Sequence, residues 1–215
     1  APCRCARDGA VSAGFTRLSA PAAVLPGANI DTDVIMPKQF LKGIDRAGLA
    51  LGLFHDLRFG ADGAPDPAFV LNWPKLAGCR ILLTGPNFGC GSSREHAVWG
   101  MLQYGIGAVI GTTFGAIFAD NAGNNGLLLI SLEPEPLARL MAAVSGGADV
   151  TIDLEAQKVV AGGLTVPFAI EPSQRRAIML GLDRIGETLT MADQIRAFEA
   201  VYFASAPWLL DDQPK

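Results

Sequence analysis

The chain is poor in charge, in aromatic rings and in the side chains that build metal centres. Charged residues make up 18 % of its 215 positions and aromatics 7 %, and there are two histidines and four cysteines. With 17 basic and 21 acidic residues the formal net charge is −4. That argues against a protein whose main task is to coat nucleic-acid phosphate, although a few local arginines can still hold a small carboxylate. Low charge with a hydrophobic share of 50 % excludes a disordered chain, and the length allows one domain to bury a full core. No apolar run reaches the length of a membrane span, since the longest, 105–111 and 126–132, are strand-sized. The first residues lack the apolar centre of a signal peptide. Cys3 and Cys5 form no CxxC pair. Together with Cys79, Cys90, His55 and His96 they supply no zinc pattern, so reduced thiols in a cytoplasmic compartment are expected. A Walker loop, a strand-following GxGxxG and a Gly-x-Ser-x-Gly elbow are all missing.

What is present is a mixed α/β pattern. Residues 1–17 read as a flexible arm, 18–203 as the working domain and 204–215 as a peripheral tail, with loose character extending to residue 20. Continuous apolar runs at 80–84, 108–110 and 127–130 predict strands covered on both faces. Between them, helices are predicted at about 93–104 and 116–122, giving parallel pairing. A helix follows at 135–144. The period then changes to two: Val150, Ile152 and Leu154 alternate with Thr151 and Asp153, and 158–161 and 164–168 continue the alternation as a small antiparallel accessory element. Helices are predicted at 172–182 and 191–203. Residues 60–68, rich in Gly, Asp and Pro, are the clearest loop.

The segment from Asn87 to His96 concentrates polar chemistry. Gly89 and Gly91 allow a sharp turn after the strand at 80–84, delivering backbone N–H groups to the start of a helix, a place that attracts anions. Ser92 and Ser93 add hydroxyls, and Arg94 can grip a carboxylate with two parallel bonds. A structural alternative stands beside this reading. Ser92-x-x-Glu95 has the form of a capping box, with Ser92 accepting from the N–H at 95 and Glu95 reaching back, worth about 0.5–2 kcal/mol. His96 either orients a neighbour or simply closes a hydrogen bond, and Cys90 alone makes no metal site.

A second polar cluster lies at 29–33. Asp31 and Asp33 fall on one face if the segment is extended, and they can bind a metal, hold a cation or make Asx turns. Lys38 can neutralise Asp33 or meet an anionic substrate. Arg58, after His55-Asp56-Leu57, is another carboxylate binder by residue type.

The strings Asn29-Ile-Asp-Thr-Asp-Val-Ile-Met-Pro-Lys-Gln-Phe-Leu41 and Asn87-Phe-Gly-Cys-Gly-Ser-Ser-Arg-Glu-His-Ala97 together resemble the small subunit of 3-isopropylmalate dehydratase, the free-standing swivel domain of the aconitase superfamily. Supporting segments lie at 53–59, 66–72, 113–118, 124–128 and 181–189, so the likeness runs from about residue 18 to 203. It implies an aconitase swivel-like mixed sheet or barrel flanked by helices. It also implies a hydro-lyase that is active only with a large subunit bearing a 4Fe–4S cluster, none of it bound by this chain. The implied reaction interconverts 2- and 3-isopropylmalate through 2-isopropylmaleate in leucine biosynthesis, with no nucleic-acid or membrane partner. By the same resemblance Ser92 is the base, Arg94 pairs with a substrate carboxylate and stabilises the serine alkoxide, and Asp33 belongs to the active-site network. Lys38, Arg58 and Ser93 are substrate-binding candidates, Asp31, Thr32, Glu95 and His96 supporting ones, and Cys90 is not a cluster ligand. The stretch 42–58, with Ile44, Leu49, Leu51 and Leu53, is a candidate reader of the substrate side chain. Citramalate or homoaconitate hydro-lyases are alternative family readings, and a non-catalytic anion-binding regulatory module is the alternative from another class.

Overall fold

Apolar runs without polar alternation become the parallel strands of this protein, and the alternating runs become the antiparallel ones. The computed structural model describes residues 14–41 and 48–209. In chain order it contains β1 (Arg17–Ala20), β2 (Ala22–Leu25), α1 (Thr32–Ile35), α2 (Leu49–Gly52), α3 (His55–Arg58), β3 (Ile81–Thr84) and α4 (Glu95–Tyr104). There follow β4 (Ala108–Gly111), α5 (Ala116–Asn125), β5 (Leu128–Ser131), α6 (Pro134–Ser145), β6 (Val150–Asp153), β7 (Lys158–Ala161) and β8 (Leu164–Pro167). The chain ends in α7 (Pro172–Leu180), α8 (Arg184–Leu189) and α9 (Ala192–Ser205). Single 3-10 turns occupy Lys38–Leu41, Val70–Asn72, Pro74–Leu76 and Pro207–Leu209.

The mixed α/β expectation resolves into two four-stranded sheets. One is wholly parallel, in the order β2-β3-β4-β5, with Ala22 opposite Ile81, Ile81 opposite Ala108, and Ala108 opposite Leu128. Every residue of β3 and β4 is buried, because both faces are covered. Ile81, Leu83, Ala108, Ile110, Leu128 and Ile130 point into a core shared with the second sheet and with α6 residues Leu137, Leu140 and Val144. Leu82 and Val109 point the other way, into a core with Val98 and Met101 of α4 and Phe118 of α5. The second sheet is antiparallel, in the order β1-β6-β7-β8. There the period of two holds: Val150 and Ile152 are buried while Thr151 and Asp153 are half-buried. β7 returns into β8 through the two-residue turn Gly162-Gly163.

Residues 17–20 correct the expectation of a loose start. Their alternation is short, yet Leu18 and Ala20 are buried and pair with Ile152 and Val150. Pro21 alone separates β1 from β2 and carries the chain from one sheet to the other. Phe15 packs on the same core and donates its N–H to the Ile178 carbonyl, so the folded unit begins ahead of residue 18. Cys3, Cys5 and Ile44, with the expected arm up to residue 13, lie outside the described residues. At the other end, α9 buries none of its residues, and Phe198, Val201 and Tyr202 are exposed. None of the described helices is long and apolar enough to cross a membrane. The excursion from β2 to β3 holds α1–α3, and with the loops after β3 and β4 it gathers at the carboxyl ends of the parallel strands, where open α/β sheets place their ligands.

Candidate active site

Three loops are laced together at that end of the sheet. After β2, the Asn29 N–H donates to the Pro86 carbonyl at 2.9 Å, and the Gly89 N–H donates back to Ile30 at 2.7 Å. The Asn87 amide donates to Asn29 Oδ1 at 2.8 Å, and both asparagines hold left-handed backbone, at φ 57° and 56°. Asp31 and Cys90 form an isolated parallel bridge. The loop after β4 closes the set: Asn87 N–H donates to Thr113 Oγ1 at 2.9 Å, and Gly115 N–H donates to the Phe88 carbonyl at 2.9 Å. Packing here is tight enough to dictate glycine. Gly89 has φ +74°, and a Cβ on it would stand 2.3 Å from the Phe118 ring.

The two polar clusters seen in the sequence meet across this seam. Asp33 pairs with Arg94, whose Nη1 also donates to the Met36 carbonyl at 3.4 Å. Arg94 is 11 % exposed at its side chain and Asp33 43 %, so the pair sits at the rim with the guanidinium inward. All bonds that Arg94 makes among the described residues use Nη1, which leaves Nη2 and Nε to donate to a carboxylate. Thr32, 1 % exposed, donates its hydroxyl to the Ser92 carbonyl at 2.9 Å and its N–H to the Cys90 carbonyl at 2.9 Å. Ser92 and Ser93 are exposed. Backbone bonds thus fix the segment while the Ser92 side chain stays open to a ligand.

Asp31 and Asp33 do not share a face as an extended segment would have them, because Thr32–Ile35 is a helical turn. Asp31 caps it, accepting from the Val34 N–H at 2.8 Å, and Asp33 turns to Arg94. The capping box also does not form. Helix α4 starts at Glu95 rather than 93, with Arg94 as its N-cap in extended backbone and no side-chain capping bond. Glu95 does not reach back; its Oε1 accepts from the Asn125 amide at 2.7 Å. Ser92 therefore carries no capping bond to the start of α4. The His96 ring lies 4.7 Å from that of Trp99.

Among the described residues, the remaining candidates make no bond to the Asp33–Arg94 pair. Lys38 is exposed, and among the described residues the cation that meets Asp33 is Arg94, not Lys38. Arg58 is a brace: Nη1 donates to the carbonyls of Ala50 and Leu53 at 3.0 and 3.1 Å. Its guanidinium lies over the rings of Phe59 and Tyr104, and burial pulls its pKa below the ordinary arginine value, with Tyr104 opposing. Leu49 and Leu53 belong to the core, whereas Leu51 is 64 % exposed. Among the described residues no three His, Cys, Asp or Glu side chains converge as a metal site. Sequence reasoning gave no role to Asn125, Thr113 or the Asn29–Asn87 pair. The left-handed asparagines are the one local signal available, since Asn tolerates that backbone.

Comparison with known proteins comes to the same place. Residues 13–135 match the family model of the aconitase C-terminal domain and 138–172 the LeuD_N model. Residues 185–212 match the model of the C-terminal domain of 3-isopropylmalate dehydratase small subunits. A Chromobacterium violaceum protein named 3-isopropylmalate dehydratase small subunit 1 is 54 % identical over 198 residues, covering 91 % of this chain and 93 % of that one. A 3-isopropylmalate dehydratase small subunit from Caulobacter vibrioides is 51 % identical, covering 91 % and 98 %. The crystal structure of a 3-isopropylmalate dehydratase from Methanocaldococcus jannaschii superposes with a TM-score of 0.64 at 27 % identity, over 85 % of this chain and 99 % of that one.

Proposed function

The chain belongs to the family of 3-isopropylmalate dehydratase small subunits, within the aconitase superfamily of hydro-lyases, and on that premise we propose that Ser92, Arg94 and Asp33 perform the proton-transfer half of the reaction. That reaction moves a hydroxyl between neighbouring carbons of isopropylmalate by loss and return of water, and it serves leucine biosynthesis. The small subunit works with a large one.

The supporting observation is the Asp33–Arg94 pair, which draws the two motif loops together beside an open serine. Ser92, as the alkoxide, takes a proton from the carbon next to a carboxylate. The electron pair left behind becomes the carbon–carbon double bond as hydroxide departs from the neighbouring carbon. Negative charge grows on the carboxylate during this step, and fixed donors act best where charge develops. Arg94 Nη2 and Nε fill that role. Asp33 balances the partly buried guanidinium when no substrate is present, avoiding the cost of an unpaired charge. Exposed Ser93 and Lys38 can add donors to a second carboxylate. In the family reading, Lewis-acid help for the departing hydroxide is supplied by a 4Fe–4S cluster on the large subunit; among the described residues of this chain no three His, Cys, Asp or Glu side chains converge to hold one. The reading implies the cytoplasm as compartment, and a paired large subunit rather than nucleic acid or membrane as partner.

The test is anaerobic assembly with a cluster-loaded large subunit, following the ultraviolet absorbance of the unsaturated diacid. Isopropylmalate is run beside citramalate and homocitrate-type substrates. Turnover only in the mixture, fastest with isopropylmalate, is expected. Ser92→Ala should assemble normally and lose about a hundredfold or more in turnover, the range of a general base. Near-normal turnover by that variant in a verified complex overturns the serine assignment. A verified complex active on none of these acids overturns the substrate class, and failure to form a complex favours an anion-binding module.

A further inference from the structure

Glu95 and His96 follow directly on Arg94, and the reaction as proposed gives them no task. Their surroundings do. Asn125, at the end of α5, is one of three buried polar residues in the described core. Its Nδ2 donates to Glu95 Oε1 at 2.7 Å and to the Asn121 carbonyl at 2.9 Å, and its Oδ1 accepts from Trp99 Nε1 at 2.9 Å. The amide has one workable orientation. Reversed, its oxygen would face the Glu95 carboxylate and its NH₂ the indole N–H. Glu95 and Trp99 are four residues apart, hence on one face of α4, and the Trp99 ring in turn lies 4.7 Å from His96.

We infer that Asn125 and Glu95 are positioning residues for Arg94, clamping the first turn of α4 so that the guanidinium at its N-cap stays aimed at the substrate carboxylate. The reason is mechanical. The start of a helix has unsatisfied N–H groups and frays unless something holds it. Here the N-cap makes no side-chain capping bond, so the restraint comes sideways, from a charge-assisted hydrogen bond to a neighbouring helix. Arg94 is the residue that a loosened first turn would misplace. This inference rests on the role proposed for Arg94, and its test separates the two.

The assembled two-subunit enzyme is compared for wild type, Glu95→Ala, Glu95→Gln, Asn125→Ala and the double variant Glu95→Ala/Asn125→Ala, with Ser92→Ala in parallel. Rates are normalised to complex formed. Losing a hydrogen bond to a charged group should lower kcat/KM about tenfold in each alanine single variant, with a raised KM for the diacid, since Arg94 binds it. The double variant should be no more than about twofold worse than Asn125→Ala, because the Glu95–Asn125 bond is lost in both singles and Asn125→Ala removes the bonds to Trp99 and the Asn121 carbonyl besides. Glu95→Gln keeps an acceptor and should stay within about twofold of wild type. If Glu95→Ala keeps wild-type kcat and KM per complex, or the two losses multiply, the inference is wrong. If instead Ser92→Ala keeps its turnover, the site reading itself fails, whatever the Glu95 variants do.

Discussion

Gly115→Ala is the sharpest perturbation of the seam beneath Ser92. Gly115 caps α5 with φ −59° and ψ 133°, a backbone that alanine adopts freely, so conformational strain does not confuse the result. An added Cβ would stand 2.4 Å from the Gly89 carbonyl oxygen, 2.9 Å from its carbon and 3.0 Å from Cys90 Cα. All three are backbone atoms, so no flexible side chain can swing away. Reaching ordinary contact needs about 1 Å of separation, and overpacking of this kind costs about 1–3 kcal/mol. The loop that moves leads, within two residues, to Ser92. A displacement of about 1 Å at reacting groups is worth on the order of a hundredfold in rate. Gly123→Ala, in the same helix, is the matched control. Its Cβ would meet only Gln174 Nε2 at 3.8 Å, and replacing a helix-interior glycine should stabilise by about 0.5–1 kcal/mol. Urea unfolding of the isolated small subunit and turnover of the assembled enzyme read both effects. Gly115→Ala with wild-type stability refutes the contact argument. Gly115→Ala that is destabilised but fully active per complex refutes the coupling of this seam to the site.

Thr32→Val keeps the buried shape and removes the hydroxyl that holds the Ser92 carbonyl; turnover should fall by about the worth of one hydrogen bond, roughly 0.5–1.5 kcal/mol or two- to tenfold, and Thr32→Ser should restore it, whereas equal loss in both variants would show that packing matters and the bond does not. Burial pushes the Cys79 thiol above its ordinary value of 9.0, with hydrogen bonds to Ile81 and Ala23 partly offsetting. Full stability is therefore present below about 9.0 and is lost as pH rises from there through the raised native value, because the unfolded chain ionises first. Cys79→Ala should flatten that alkaline decline in denaturant titrations at stepped pH, and an unchanged slope would assign the decline to other groups.

The sheet was legible because burial leaves a periodic signature. Ile81-Leu82-Leu83 and Ala108-Val109-Ile110 are continuous because both of their faces are covered, and Val150-Thr151-Ile152-Asp153 alternates because one face is less buried. Elements held by capping or by partners distant in sequence were harder to see. Strand β1 is four residues whose ladder partner is β6, at least 130 positions away. Helix α8 is a six-residue turn started by Asp183, which accepts from Gly186 N–H at 2.6 Å. Neither carries enough periodicity to stand out in composition.

The site divides along the same line. Local chemistry identifies which residues matter: two serines, an arginine and an aspartate in short glycine-bounded strings. It does not identify their partners. Ser92-x-x-Glu95 satisfies every local condition for a capping box, yet the carboxylate goes to Asn125, thirty residues on, and the cation for Asp33 comes from Arg94 rather than nearby Lys38. In both cases a local pairing is available and a tertiary one wins. The reason is common to both. A local cap contributes about 1 kcal/mol, whereas a charged group at a partly buried position loses water and gains more from a fixed donor already held in place. The parallel sheet holds those donors in place, because its strand order and register set the spacing of the loops after β2, β3 and β4.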